Sequence, residues 1–317
     1  MDLTGIYHHD IPDFLREAAA APAMQRLRGV GMNCGCEYTS FPEFARWQSY
    51  SRFDHSLGAA LITWHFTADP KQALAALLHD VATPVFSHVV DFLRGDYEKQ
   101  ESTEVGTREM ILFSREILAV CRKYDIDPES ITDYHRYPIA DNDSPRLSAD
   151  RLEYTLGNIV NFGFGSVETV KAYYENLLAT DTELVFRDES LACAFAADAL
   201  KCSRVYVSDE DRYSMQLLSE ILAEAIRTGV VLPEDLYLQE KDVIACLEAS
   251  PLRKRWQEFQ ALRRVVPSQS GRVIPAKKRY IDPCTVSGQR ASQLDARFAA
   301  DLDGFLSWDF GYGITAL

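Results

Sequence analysis

This 317-residue chain lacks any apolar run approaching the ~20 residues that a membrane-spanning helix needs, so no membrane partner is expected. It also lacks a CxxC pair. Its seven cysteines stand at 34, 36, 121, 193, 202, 246 and 284, an odd number whose one close pair has a poor zinc-finger spacing. Reduced thiols in a cytoplasmic protein are expected from that usage. The polar, acidic opening MDLTGIYHHDIPDF does not read as a signal peptide. Positive charge is scarce too: 33 Lys and Arg stand against 47 Asp and Glu, for a formal net charge of −14. That balance argues against unspecific nucleic-acid binding, which needs a basic face. It also means that any phosphate site has to be made positive locally. Neither GxGxxG nor GxxxxGK[ST] occurs, so the usual nucleotide cradles are absent.

What is present is a helical pattern almost throughout, and an all-α fold is expected. HSLGAALITWHF reads as a buried helix. DPKQALAALLHDVA starts with Asp69 as cap and Pro70 at the first helical position. Pro84 forces a break and a restart through VFSHVVDFL. GTREMILFSREILAVCRKY is amphipathic at period 3.6. Residues 136–148 read as a loop, and ADRLEYTLGNIVNFG as a helix ending at Gly163. ELVFRD is strand-like, helical patterns cover 189–207, 209–228 and parts of 233–264, and QSGRVIPAKKRYIDPCTVSG suggests a loop or small hairpin. A core over residues 1–165 with a helical remainder, 166–317, packed on it is the expected organisation. A closed twofold homodimer is the expected assembly.

The stretch ALLHDVATPVFSHVVD, residues 76–91, sets metal-capable side chains on an apolar background. Taken with His55 and Asp150, His79 and Asp80 make a two-His, two-Asp set suited to one divalent ion, whether Mn, Fe, Zn, Co, Ni or Mg. Adjacent residues point about 100° apart on a helix. His79 and Asp80 therefore reach one ion only if it sits at the helix end, over the groove between helices.

Four stretches in order, MQRLRGVGMNCG, SRFDHSLGAAL, ALLHDVATPVFSH and ADRLEY, resemble successive motifs of the HD-domain metal-dependent phosphohydrolases, nearest to the deoxynucleoside triphosphate triphosphohydrolase branch. The resemblance implies an HD helical bundle with additional C-terminal helices. It implies a single metal held by His55, His79, Asp80 and Asp150. It places Arg52 and Arg151 toward phosphate, Tyr154 and Gln25 beside the substrate, and His88 with Asp91 near the reacting group. An arginine fork pairs with phosphate oxygens, and an Asp-oriented His can transfer a proton.

The departures from that pattern matter as much. Thr83 stands where the family has a His, and Gln100 before Glu101 replaces another. Aligned on Phe195 and Tyr206, Asp198 replaces a phosphate-binding Arg and Cys202 a substrate-side His. The metal set survives while the triphosphate-handling set does not. The expected substrate is therefore a nucleoside monophosphate or other small phosphate ester, with a catalytically impaired metal and nucleotide sensor as the alternative. A plainer reading stands beside the family-based one for three of these residues: Arg52 pairing with Asp54 or Asp91, Arg151 forming a solvated face with Glu153, and Tyr154 in the core. AKKRY (276–280) is expected to be a solvated run, with reach to phosphate from a loop as the alternative. His65 is structural, and His8-His9 is an incidental flexible pair. His135 would be a further ligand only at a two-metal site.

Overall fold

A computed structural model describes residues 3–95 and 105–317. Gln100 and Glu101 lie outside the described residues. Ser51 opens helix α1 (Arg52–Thr67) with a reciprocal cap: its hydroxyl accepts from the Asp54 amide, and the Asp54 carboxylate accepts from the Ser51 amide. This satisfies donors that a first helical turn leaves orphaned, and it commits Asp54 to its own helix. α1 is buried over most of its length, as its small and apolar sequence requires. Asp69 and Pro70 start α2 (Pro70–Leu78), which packs on α1.

α2 stops at Leu78, ahead of the sequence-based expectation. Pro84 disfavours helical backbone at Thr83 and removes a donor, so residues 79–88 form a series of turns. Phe86 and Ser87 are both left-handed, with φ of 59° and 51°. Successive left-handed L-residues are incompatible with a right-handed helix, so α3 (Val89–Arg94) begins only at Val89. The amphipathic stretch after residue 106 is likewise two helices, Thr107–Phe113 and Arg115–Lys123, separated by Ser114, whose hydroxyl caps the second. α4 (Ala149–Asn161) starts on the Ser148 cap and gives way to left-handed Gly163. Helices α5 (Glu189–Val205), α6 (Asp209–Arg227) and α7 (Glu240–Glu248) follow.

Strands are few. β1 (Leu177–Ala179) and β2 (Leu184–Phe186) form an antiparallel pair, as ELVFRD suggests. The segment expected as loop or hairpin is divided between two sheets instead. β3 (Val265–Arg272) pairs with the C-terminal β5 (Ile314–Ala316), while β4 (Cys284–Thr285) joins β2 in parallel. Between β3 and β4, residues 273–283 run as irregular chain.

The largest apolar core gathers residues from Leu3 to Cys202 together with Ile281. A second packs Phe41, Phe44, Val85, Phe86 and Phe92 against α6, Trp256 and Phe259. Residues on both sides of position 165 contribute to each. All seven cysteines are free thiols. No helix among the described residues is long and apolar enough to cross a membrane.

Gly58 on α1 is a point of close approach, because a Cβ there would lie 2.6 Å from Cγ and Oε1 of Glu153 on α4. Gly58→Ala is expected to destabilise the chain by about 1–3 kcal/mol, the usual cost of overpacking. A denaturant midpoint unchanged from wild type would contradict this.

Candidate metal centre and cavity

Four ligand atoms converge where the start of α1, the end of α2 and the start of α4 meet. Nε2 of His55 lies 3.0 Å from Oδ1 of Asp150 and 3.9 Å from Oδ2 of Asp80. Nε2 of His79 lies 3.4 Å from each of the same two oxygens. Ligands on a cation with bonds of about 2.1 Å sit about 3.0 Å apart when adjacent; His55, His79 and Asp80 offer atoms within 4.8 Å of one another, and Asp150 approaches both imidazoles, a donor set suited to a divalent ion. His79 does close α2, which lets it and Asp80 face one point despite their different directions from the helix axis.

Each imidazole is turned by its other nitrogen. Nδ1 of His79 is 2.7 Å from the Ala76 carbonyl, which can only accept, so this nitrogen carries the proton and Nε2 faces the centre. Nδ1 of His55 is 2.7 Å from Oε2 of Glu153. Glu153 also accepts from the Tyr50 hydroxyl, with the Tyr7 hydroxyl 3.4 Å away. The solvated-face reading of Glu153 is thus corrected: it is buried, one turn along α4 from Asp150. Its position three residues after Asp150 was the available signal.

Asp80 is held at both oxygens. Arg52 Nη1 donates to Oδ2 at 3.0 Å and Thr83 Oγ1 donates to Oδ1 at 2.6 Å. Burial alone would raise the Asp80 pKa, but Arg52, His79, His55 and the Thr83 hydroxyl hold it well below the usual carboxylate range. For His55, burial opposes protonation, yet the Asp150 and Glu153 carboxylates raise its pKa to about 10. Without an ion, His55 is therefore an imidazolium clamped between two carboxylates. Thr83 does not line the cavity, and its side chain serves Asp80. Arg26 braces the same turn through the carbonyls of Val81 (3.0 Å) and Thr83 (2.7 Å).

The centre forms the floor of a cavity of about 530 Å³ lined by Arg52, His88, Tyr154, Tyr206 and Arg279, among others. That size suits a small-molecule ligand. His88 Nδ1 is 2.8 Å from Oδ2 of the fully buried Asp91, and its Nε2 is 3.5 Å from Arg279 Nη2. Burial, then the nearby positive charges of Arg279 and Arg52, push the His88 pKa down to about 4 against the pull of Asp91. At neutral pH its Nε2 is a proton acceptor. Asp91 does not line the cavity and orients His88 from behind.

Other predicted residues are placed differently. Arg52 pairs with Asp80 and donates from Nε to Ser87 Oγ at 3.0 Å, not to Asp54. Arg151 borders the cavity, but its guanidinium ties down the 141–146 loop through Asp141, Asn142 and the Arg146 carbonyl. Gln25 does not line the cavity; its amide donates to the Ala19 carbonyl at 2.7 Å and accepts from Arg28. Asp198 and Cys202 also lie off the cavity. Asp198 accepts from Tyr173 and Lys201, so it does not stand where the resemblance puts a phosphate-binding Arg beside the substrate. Tyr154 lines the cavity with its ring 6.3 Å from that of His55.

The AKKRY segment is corrected most. It belongs to the irregular chain between β3 and β4, and all five of its residues line the cavity. Lys278 anchors it by donating to the carbonyls of Leu306 and Trp308. Glu240 of α7 was also missed. It accepts from the Gly31 amide (2.9 Å), the Phe86 amide (3.2 Å) and the Tyr38 hydroxyl (2.7 Å). It thereby braces the left-handed Phe86-Ser87 turn that aims Ser87 at Arg52. No local pattern announces it, because its partners lie over 150 residues away.

No protein-family model matches the chain. Among curated proteins it is similar to the metal-dependent phosphohydrolase cns2 of Cordyceps militaris, with 27% identity over 85% of this chain and 79% of the relative. It is also similar to the uncharacterized protein YdhJ of Bacillus subtilis, with 25% identity over 79% and 76% of the two chains. In fold it matches a phosphohydrolase of Bacteroides thetaiotaomicron, with a TM-score of 0.62, 18% identity and 97% and 96% of the two chains covered. It also matches a hypothetical protein of Aquifex aeolicus, with a TM-score of 0.60, 18% identity and 92% and 90% covered.

Two outcomes are expected for metal binding. Glu153→Gln weakens divalent-ion affinity by about 10–100-fold, the usual effect of losing an outer partner of a ligating His; titration calorimetry showing an affinity within twofold of wild type would rule this out. An ion must also displace the His55 proton. Affinity therefore rises with pH below the His55 pKa of about 10, approaching a tenfold gain per unit with about one proton released per ion. Calorimetry in buffers of differing ionisation heat measures that proton directly.

Proposed function

We propose that this chain is an HD-type, metal-dependent phosphohydrolase acting on a small phosphate ester, with a nucleoside monophosphate as the best-suited substrate class. The observation that carries this is the buried cluster of His55, His79 and Asp80, with Asp150 against both imidazoles, in a cavity also lined by His88 and Arg279. The similarity to a protein named a metal-dependent phosphohydrolase supports the same reading.

A divalent ion held by His55, His79, Asp80 and Asp150 would supply Lewis acidity, polarising a phosphoryl oxygen and acidifying a bound water. The remaining work falls to the chain. Arg279 lies beside His88 and can donate to non-bridging phosphate oxygens. Arg52 keeps Asp80 ionised and fixed in direction. His88, unprotonated at Nε2, can accept a proton from the attacking water, and Asp91 stabilises the resulting imidazolium. A bound phosphate dianion would raise the His88 pKa from its low resting value toward neutrality, strengthening it as a base when substrate is present.

Part of the cavity lining is aromatic. Trp47 stacks on Phe162 with centroids 4.8 Å apart, and Tyr154 and Tyr206 stand beside them. Asn158 donates to the Tyr206 hydroxyl while its Oδ1 has no partner. A flat, hydrogen-bonding leaving group such as a nucleoside suits this lining. The sensor reading draws on a different observation: both Arg52 and Arg151 are committed to protein partners.

Stripped protein reconstituted with Mn²⁺, Co²⁺, Ni²⁺ or Mg²⁺ is expected to release phosphate from nucleoside monophosphates. Asp80→Ala abolishes turnover, and His88→Ala lowers kcat by about 10²–10⁴-fold. Full activity in His88→Ala refutes its assigned role. A bound metal without turnover on any nucleotide or on p-nitrophenyl phosphate favours the sensor.

Arg279→Ala is expected to raise KM by about tenfold or more, since a hydrogen bond to a charged group contributes about 1.5–3 kcal/mol. Steady-state kinetics with an unchanged KM would remove Arg279 from the phosphate site.

A further inference from the structure

Residues 3–10 are anchored, which overturns the reading of His8-His9 as a flexible pair. Leu3 and Tyr7 are buried in the largest core. The Tyr7 carbonyl accepts from the Tyr174 hydroxyl at 2.7 Å. The next residues therefore stand at a defined place, against the last turn of α1. There His65 packs between Phe66 and Tyr174, with ring centroids 4.9 and 5.6 Å away.

We propose that His8, His9 and Asp10 form a second divalent-metal site, separate from the buried centre and oriented by His65. Each of the three offers a ligand atom, and these atoms lie within 4.8 Å of one another. Nε2 of His9 is 2.8 Å and Nε2 of His8 is 3.6 Å from Oδ1 of Asp10. Those separations suit donors sharing one ion with bonds of about 2.0–2.2 Å. The outer contact is what distinguishes this cluster from an arbitrary surface pair. Nδ1 of His8 lies 3.4 Å from Nδ1 of His65. With the His8 proton on Nδ1 and donated to His65, its Nε2 lone pair faces Asp10. This is the tautomer-fixing arrangement found behind ligating histidines.

Two imidazoles and one carboxylate select a nitrogen-preferring ion, Ni²⁺, Cu²⁺ or Zn²⁺, over the oxygen-seeking Mg²⁺ or Ca²⁺. His9 and Asp10 are exposed, so water completes the coordination. His65 is 57 residues from His8, so its support of His8 exists only in the folded chain. The ion therefore binds the folded chain more tightly by what His65 contributes, and stabilises it by mass action to that extent.

The test uses tag-free, full-length His79→Ala/Asp80→Ala protein, in which the buried centre keeps only two of its four donors, titrated with Ni²⁺ alone. One ion per chain is expected to bind. His9→Ala or Asp10→Asn, both at exposed positions, weakens it at least about tenfold, and His65→Phe, which keeps the ring packing, weakens it by about tenfold. No Ni²⁺ bound, or an affinity unchanged by His9→Ala, overturns the proposal. Should the double variant fail to fold, Cu²⁺ electron paramagnetic resonance on the otherwise wild-type chain decides it. Imidazole-nitrogen couplings that diminish in His9→Ala support the site, and identical spectra overturn it. Because none of these readouts is phosphate release, the proposal stands or falls apart from the catalytic reading.

Discussion

The arrangement rests on the compensation of charge among buried groups at one point. Asp80, Asp150 and Glu153 bring three carboxylates out of water, and each needs a positive partner to remain ionised there. Arg52 and the His55 imidazolium supply that charge, with His79 beside them. A divalent ion can replace the His55 proton and keep the carboxylates paired. The ligand side chains are held in direction by neighbours that do not themselves face the ion's position: the Ala76 carbonyl behind His79, Glu153 behind His55, and Thr83 behind Asp80.

The turn behind Arg52 is organised by the same logic at longer range. The left-handed pair Phe86-Ser87 would be poorly populated alone. Glu240 holds it through the Phe86 amide, and the Leu236 carbonyl accepts from the Val85 amide at 2.8 Å. Ser87 then accepts from Arg52 and donates to the Gly31 carbonyl at 2.9 Å. Burying the Glu240 carboxylate has a cost: burial, with the Glu240 charge beside it, pushes the Glu37 pKa up to about 8, and burial raises the Glu240 pKa as well.

Thr83 and Arg279 show why departures from a familiar motif are hard to weigh by position. Thr83 occupies a position associated with proton transfer, yet it hydrogen-bonds to Asp80 instead. The charge missing from positions such as Asp198 is supplied by a strap of irregular chain, anchored by Lys278 to the end of the Ala296–Ser307 helix. In a chain of net charge −14 this strap carries the local positive charge that the proposed phosphate site requires.

The helices of the first half, the cap at Asp69, and the candidate set His55, His79, Asp80 and Asp150 with His88 could be read from sequence. Their signals are local: a cap lies within three residues of its amide, and the ligands stand beside recognisable breaks such as Pro84. What needed the folded chain was every contact between distant segments: Glu153 against Tyr7 and Tyr50, Glu240 under Phe86, Arg279 beside His88, and the diversion of Arg151 into its own loop. A side chain's type states what it can bind, but its partner depends on which backbone segments the cores bring together. For these residues that choice was made by packing, because no period or spacing in the chain encodes it.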